Sequence, residues 1–226
     1  MPPKPKDPPG KTLDRLQVTY RYLMGKKSEE QINRFSNENR QIRDSLAPPD
    51  LRQQFLEVVR VAANSALCVG ELSEFSLRLP HGHFLATGKG AWAHHLQDDD
   101  LLVVLSEASV QEQDDALPAK WAWHQGIYKD NPEVGAVCFV HPIAPLALAA
   151  KDKALPDRVA KEAADLGLPE VAICKPQTSA IAEASQKAGL LVLPGIGVLT
   201  RAESLKASII QLQKFNFWCE LALRNQ

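Results

Sequence analysis

The feature that most constrains this chain is a set of short, unbroken apolar runs of strand length. Leu101–Leu105 (LLVVL), Val134–Val140 (VGAVCFV) and Leu190–Leu193 (LLVL) each read apolar on both alternating faces. Such runs belong to strands covered on both sides, and stretches of helical spacing lie between them. That alternation predicts an α/β fold with helices layered on a sheet.

Local signals fill in the elements. Pro48-Pro49-Asp50 reads as a helix start with Asp50 as cap, and Leu51, Phe55, Val58, Val59 and Ala62 follow at helical spacing toward Gly70. Phe75, Leu77 and Leu79 alternate into the turn Pro80-His81-Gly82-His83, and Phe84-Leu85-Ala86 returns, which is a hairpin signal. Helices are expected over Ala119–Lys129, with Trp121, Gln125 and Tyr128 on one side, and over Ala144–Ala150 and Thr178–Ala188. A short strand is expected over Glu170–Cys174. Thr200 and Glu203 have capping-box spacing, which sets the expected start of the last helix. Residues 106–117 read as an acidic, exposed connector.

The expected organisation has three parts. Residues 1–11 hold five prolines and three lysines, which forbid regular hydrogen bonding and leave a disordered Pro/Lys tail. Residues 12–49 form an N-terminal helical arm, with a first helix over Leu13–Met24 and mostly loop after it. Residues 50–226 form the main domain.

Composition narrows the function classes. The 226 residues are 45% hydrophobic and 23% charged, with a formal net charge of −1. No global positive field exists to hold a polyanion, so no nucleic-acid partner is expected. No apolar run reaches membrane-spanning length, and no apolar segment follows the basic N-terminus, so neither a membrane partner nor a secretory signal is expected. The widely spaced Cys68, Cys138, Cys174 and Cys219 read as reduced, mostly buried thiols of a cytoplasmic protein.

Three clusters have residues of the right chemistry for a site. His81 and His83 flank a glycine, and His94 and His95 are adjacent. Both pairs have donors for a transition metal, yet no Cys, Asp or Glu completes the set, and exposed turns carry such residues ordinarily. His141 closes the apolar run ending at Val140 and precedes Pro142, at the kind of strand exit where α/β folds place their sites. The same position also suits a core-edge histidine bonded to backbone. Thr87-Gly88-Lys89-Gly90 is a glycine turn after a strand, able to aim amides and one lysine at an anion, and equally an ordinary turn.

With these residues in view, roughly residues 50–225 resemble the class II aldolase/adducin domain. The resemblance is carried by Ser73-Glu74-Phe75-Ser76-Leu77-Arg78, by Thr87-Gly88-Lys89-Gly90, by Pro118 through His124, and by Tyr128. Pro132-Glu133-Val134-Gly135-Ala136-Val137, Phe139-Val140-His141-Pro142 and Leu190 through Leu199 continue it. It implies a single-domain, three-layer fold whose central sheet is mainly antiparallel and flanked by helices. It also implies a homotetramer with the site at a subunit boundary.

The departures from the family pattern bear on chemistry. Relatives bind a divalent metal, usually zinc, through three histidines. The resemblance lays these on Phe139, His141 and Ile196, of which only His141 has a lone pair to give. The family's acid/base glutamate falls on Lys120, and its phosphate-holding serines fall on Pro118 and Ala119. Its Gly-Asn anion pair falls on Ser73-Glu74, so a carboxylate stands where phosphate would bind, while Lys89 restores one positive charge. The expectation is a metal-independent lyase or isomerase acting on a small carbonyl or carboxylate substrate, with no metal and no cofactor. His141, Lys120 and Glu74 are its catalytic candidates, and Lys89, Gly90, Ser73 and Tyr128 its substrate- or anion-binding candidates. The alternative is a non-catalytic, adducin-like binding or scaffold protein, favoured by the lost ligands, the Pro/Lys tail and the Trp121/Trp123 helix, although these tryptophans read rather as core or subunit interface.

Overall fold

The computed structural model describes residues 40–105, 116–151, 153 and 155–225. The expected tail, the first arm helix and nearly all of the acidic connector lie outside the described residues. The chain divides into two compact units, Met1–Ile42 and Arg43–Gln226, and the fold described below belongs to the second.

Helix α1 spans Pro49–Asn64 and β1 spans Glu74–Arg78. The 3-10 turn Pro80–Gly82 leads into β2 at Phe84–Thr87, and β3 follows at Leu101–Val104. Then come α2 (Trp121–Asp130), β4 (Ala136–Val140), α3 (Ile143–Lys151) and α4 (Leu155–Glu162). Strand β5 (Val171–Ile173), α5 (Thr178–Ser185), β6 (Leu190–Leu193), β7 (Gly197–Ala202) and α6 (Leu205–Arg224) complete the order.

The strands form one seven-stranded sheet in the order β3-β2-β1-β4-β7-β6-β5. Every pairing is antiparallel except β5 with β6. Helices α1, α3 and α6 cover one face, and α2 and α5 cover the other. This is the three-layer, mainly antiparallel arrangement expected from the sequence. All five residues of β4 are buried, because helices cover both of its faces.

Three details differ from the sequence reading. Asp50 lies inside the first turn of α1; Pro48 occupies the cap position without a side-chain bond, and Pro49 supplies the preset φ that starts the helix. Thr200 is not a helix cap but a buried residue of β7, paired with Cys138 and Leu190. The cap of α6 is Ser204, whose Oγ accepts from the Ala207 amide at 3.2 Å. Gln125 does not share the side of Trp121 and Tyr128: it is exposed, while Trp121, Trp123 and Tyr128 are buried, the tryptophans as core residues as expected.

The register places the site. In antiparallel pairs, opposed residues share a face. Glu74 opposes Phe139, Phe139 opposes Leu199, and Leu199 opposes Leu191, so these four form one row under α2 and α5. Gly135 leads into β4 where the chain passes Glu203, and a Cβ there would stand 2.0 Å from the Glu203 carbonyl oxygen. That obstacle is backbone and has no rotamer to escape to. Gly135→Ala is expected to destabilise the fold by about 2 kcal/mol or more, read as a lower denaturant midpoint.

Candidate active site

Two polar stripes meet beneath α2. Along β1, Glu74, Ser76 and Arg78 fall on one face by the two-residue period of a strand. Along α2 and its start, Lys120, His124 and Tyr128 fall on one face by the four-residue spacing of a helix. The stripes bond to each other along their length.

At the upper end, both Glu74 carboxyl oxygens accept from the Lys120 amide, at 3.1 and 3.0 Å. In the middle, Ser76 Oγ lies 2.7 Å from His124 Nδ1 and 2.9 Å from the Tyr128 hydroxyl. At the lower end, Arg78 donates to the Val134 and Tyr128 carbonyls at 3.0 Å each and to that of Asn131 at 3.3 Å. The guanidinium caps the carbonyl end of α2 and lies over the Tyr128 ring at 4.9 Å.

Burial sets the electrostatics. Glu74 is 7% exposed. Loss of water pushes its pKa up to about 7, although the Lys120 amide, the Lys120 charge and the Ala119 amide pull the other way. His124 is fully buried, and desolvation lowers its pKa to about 3, so its ring is neutral at physiological pH. Burial likewise raises the Tyr128 phenol above its ordinary value. The His141 pKa is lowered, first by burial and then by the Lys120 charge. Lys120 therefore acts electrostatically on both Glu74 and His141, and its Nζ lies 4.9 Å over the Trp123 ring.

Next to His141 the surroundings are hydrocarbon. Phe139 is 2% exposed and meets the His141 ring edge-on at 4.7 Å and Trp123 at 5.4 Å. A Cβ at Gly197 would stand 2.4 Å from Phe139 Cε2, so the phenyl ring lies directly on the glycine backbone. Ile196 is partly buried and packs on the same apolar cluster. Among the described residues, no group of three or more His, Cys, Asp or Glu is gathered at metal-binding distance.

The other sequence candidates lie apart from this cluster of chemistry. Ser73 is buried and faces the Cys68 thiol, whose pKa burial raises to about 11. Lys89 is exposed in the turn after β2, and its amide donates to the Ala116 carbonyl at 2.9 Å. Gly90 has φ +75°, and the Glu71 carboxylate lies 3.6 Å from where its Cβ would be. Tyr128 joins the site through Ser76 and His124. Of the surface histidines, His94 and His95 gather around the exposed Trp92 ring, at centroid distances of 6.2 and 4.4 Å.

Ser76, Trp123 and His124 are absent from the sequence candidates. The signal that finds Ser76 and His124 is the match of periods: 74/76/78 on a strand against 120/124/128 on a helix.

The Glu74 shift fixes the sign of a pH dependence. The folded carboxyl holds its proton to about pH 7, while an unfolded glutamate releases it near its ordinary value of 4.5. Stability from this group is therefore fully present below pH 4.5 and is lost as pH rises toward 7, by about 3 kcal/mol. His124 contributes with the opposite sign below its ordinary pKa, and does so in any Glu74 variant. Denaturant unfolding at about pH 5 and pH 8 is expected to show Glu74→Gln stabilising the protein at the higher pH and losing that advantage at the lower.

Residues 53–223 match the family model described as the Class II Aldolase and Adducin N-terminal domain. No curated protein matches the chain by sequence. Solved structures do match in fold. L-fuculose-1-phosphate aldolase from Thermus thermophilus has TM-score 0.61 at 19% identity, over 76% of this chain and 91% of that one. A sugar-phosphate aldolase from Thermotoga maritima has TM-score 0.63 at 15% identity, over 76% and 93%. An aldolase II superfamily protein from Pseudomonas syringae has TM-score 0.63 at 19% identity, over 81% and 78%. The family match, spanning most of the chain, and the shared sheet and layers together identify this protein as a member of the class II aldolase/adducin family.

Proposed function

We propose that this chain is a metal-independent lyase or isomerase acting on a small carbonyl or carboxylate substrate, with Glu74, Lys120 and His141 as its working groups. The observation that carries the reading is the contact of the Glu74 carboxyl with the Lys120 amide, beside an amine that also acts on His141. A carboxyl whose pKa is about 7 is matched to proton transfer at neutral pH. In relatives the acid/base carboxylate would stand at position 120. Here a carboxylate from position 74 reaches the backbone of that same residue.

The donor set around His141 does not fit the three-histidine metal centre that the family implies. A phenyl ring lies on Gly197 and the Ile196 side chain packs against the same apolar cluster, and neither has a lone pair to give. No step is therefore routed through a metal. Carboxylates at Glu71, beside the glycine turn, and at Glu74, on β1, also oppose a substrate phosphate.

The chemistry follows from the charges. Ionised Glu74 takes a proton from the hydroxyl β to the substrate carbonyl in cleavage, or from the carbon α to it in isomerisation. The electron pair released by C–C cleavage or C–H removal moves onto the carbonyl oxygen, giving an enolate that the Lys120 ammonium stabilises. Neutral His141 hydrogen-bonds the substrate beside it. Returning the proton from Glu74 completes isomerisation or releases the cleaved product. Self-association as a homotetramer, with a neighbour closing the site, belongs to the same reading.

The test is turnover of small hydroxy-aldehydes, hydroxy-ketones and hydroxy-acids with and without a strong chelator. Turnover unaffected by the chelator is expected, and Glu74→Gln and Lys120→Met are each expected to lower it about 100-fold or more. Borohydride added during turnover separates an ionic Lys120 from one forming a Schiff base, by a mass adduct on that residue. Chelator-sensitive turnover would overturn the metal-independent reading. No turnover across the panel would favour the adducin-like binding protein.

A further inference from the structure

One buried polar atom beside Glu74 has no partner. His124 Nε2 is completely enclosed, makes no hydrogen bond and lies 4.0 Å from Glu74 Oε2. The ring is not free to turn away. Its Nδ1 is held by Ser76 at 2.7 Å, and Trp121 stacks on its face with centroids 6.0 Å apart. A fully buried imidazole nitrogen without a partner is costly unless something nearby exchanges protons with it.

The network beyond the ring has two complete arrangements. With Glu74 ionised, His124 carries its hydrogen on Nε2, pointing at the carboxylate. Nδ1 then accepts from the Ser76 hydroxyl, which accepts from the Tyr128 hydroxyl. With Glu74 protonated, the carboxyl hydrogen points at an Nε2 lone pair. The ring hydrogen is then on Nδ1 and donates to Ser76, whose hydroxyl turns toward the Val137 carbonyl while Ser76 still accepts from Tyr128. Ser76 Oγ lies 3.5 Å from that oxygen. Each arrangement places one hydrogen in the 4.0 Å gap between His124 Nε2 and Glu74 and uses the Ser76 and Tyr128 hydroxyls, and the ring stays neutral in both.

We propose that His124 is a positioning residue that changes tautomer when Glu74 gains or loses its proton, while the Ser76 hydroxyl swings between His124 Nδ1 and the Val137 carbonyl in step. Its catalytic meaning rests on the reading of Glu74 as the proton-transfer group; the tautomer change itself is observable without turnover. The titratable and charged groups facing this network are Glu74 and Arg78 from β1, Lys120 and Tyr128 from the α2 side, and Cys138 and His141 from β4 and its exit. Arg78 is occupied by three backbone carbonyls, and burial keeps the Cys138 thiol protonated. Lys120 and Glu74 are therefore the charges that bias the switch.

The test uses the full chain with 15N-labelled histidine and 13C-carboxyl-labelled glutamate, followed by nitrogen and carbon NMR from about pH 5 to pH 9. His124 is assigned by the signal lost in His124→Gln. The expected result is a neutral ring throughout, whose hydrogen moves from Nδ1 to Nε2 as pH rises, with the midpoint of the Glu74 carboxyl titration. The transition is expected to vanish in Glu74→Gln, and in Ser76→Ala its midpoint is expected to move by about tenfold in proton concentration. A single tautomer across a range in which Glu74 titrates would overturn the proposal, as would a transition that survives Glu74→Gln. If the substrate panel shows no turnover while the tautomer still follows Glu74, the enzyme reading fails and the relay stands. Turnover dependent on Glu74 with a static His124 leaves the enzyme and removes the relay.

Discussion

The contact on which the site depends is a carboxylate taken from water and returned only two backbone amides and one nearby amine. Glu74 keeps its place because the amides at the start of α2 point at it. Helix α2 in turn keeps its height above the sheet because its side chains bond downward to β1. Removing either partner leaves a buried polar group without compensation, which costs more than a surface contact of the same kind. The same geometry thus orders the helix on the sheet and suspends a carboxyl between its two protonation states.

The rungs below it explain why this arrangement does not drift. Arg78 closes the carbonyl end of α2 and lies against the rings of Tyr128 and Phe84. On the other layer, the nearly buried Arg43 and Arg52 converge on Asp98, tying α1 to the loop that precedes β3. Charged groups therefore brace both layers in places where apolar packing alone would leave the register of helix against strand weakly specified.

Much of the fold is legible in the sequence because a strand covered on both sides leaves an unmistakable apolar run. The runs at 101, 134 and 190 all lie in strands of the sheet. Helix α4 escapes such a reading because only Leu155 and Val159 among its eight residues are buried, too few to declare a period. The start of α6 is ambiguous in sequence because Thr200 and Glu203 satisfy a spacing rule that Ser204 satisfies physically; the Thr200 hydroxyl is instead 3.2 Å from Gln211 Oε1. For the site, the unusual residues Glu74, Lys120 and His141 are visible one by one, and the structure brings the first two into contact. The roles of Ser76 and His124 are not visible, since they depend on the phase between a strand and a helix more than forty residues further along the chain. Ser73 and Lys89 look relevant by position, but Ser73, just before β1, is buried beside Cys68 and exposure leaves Lys89 in solvent.

The phenyl ring lying on Gly197 has one more consequence. The glycine has no side chain because the ring fills the space where one would be, so the two positions are sterically one decision. Cutting Phe139 back to alanine would leave a dry hollow walled by Trp123, the Gly197 backbone and the His141 ring, of the kind that admits small nonpolar guests. The fold thus carries, plugged by a single benzyl group, a ready-made chamber for redesign beside an intact imidazole.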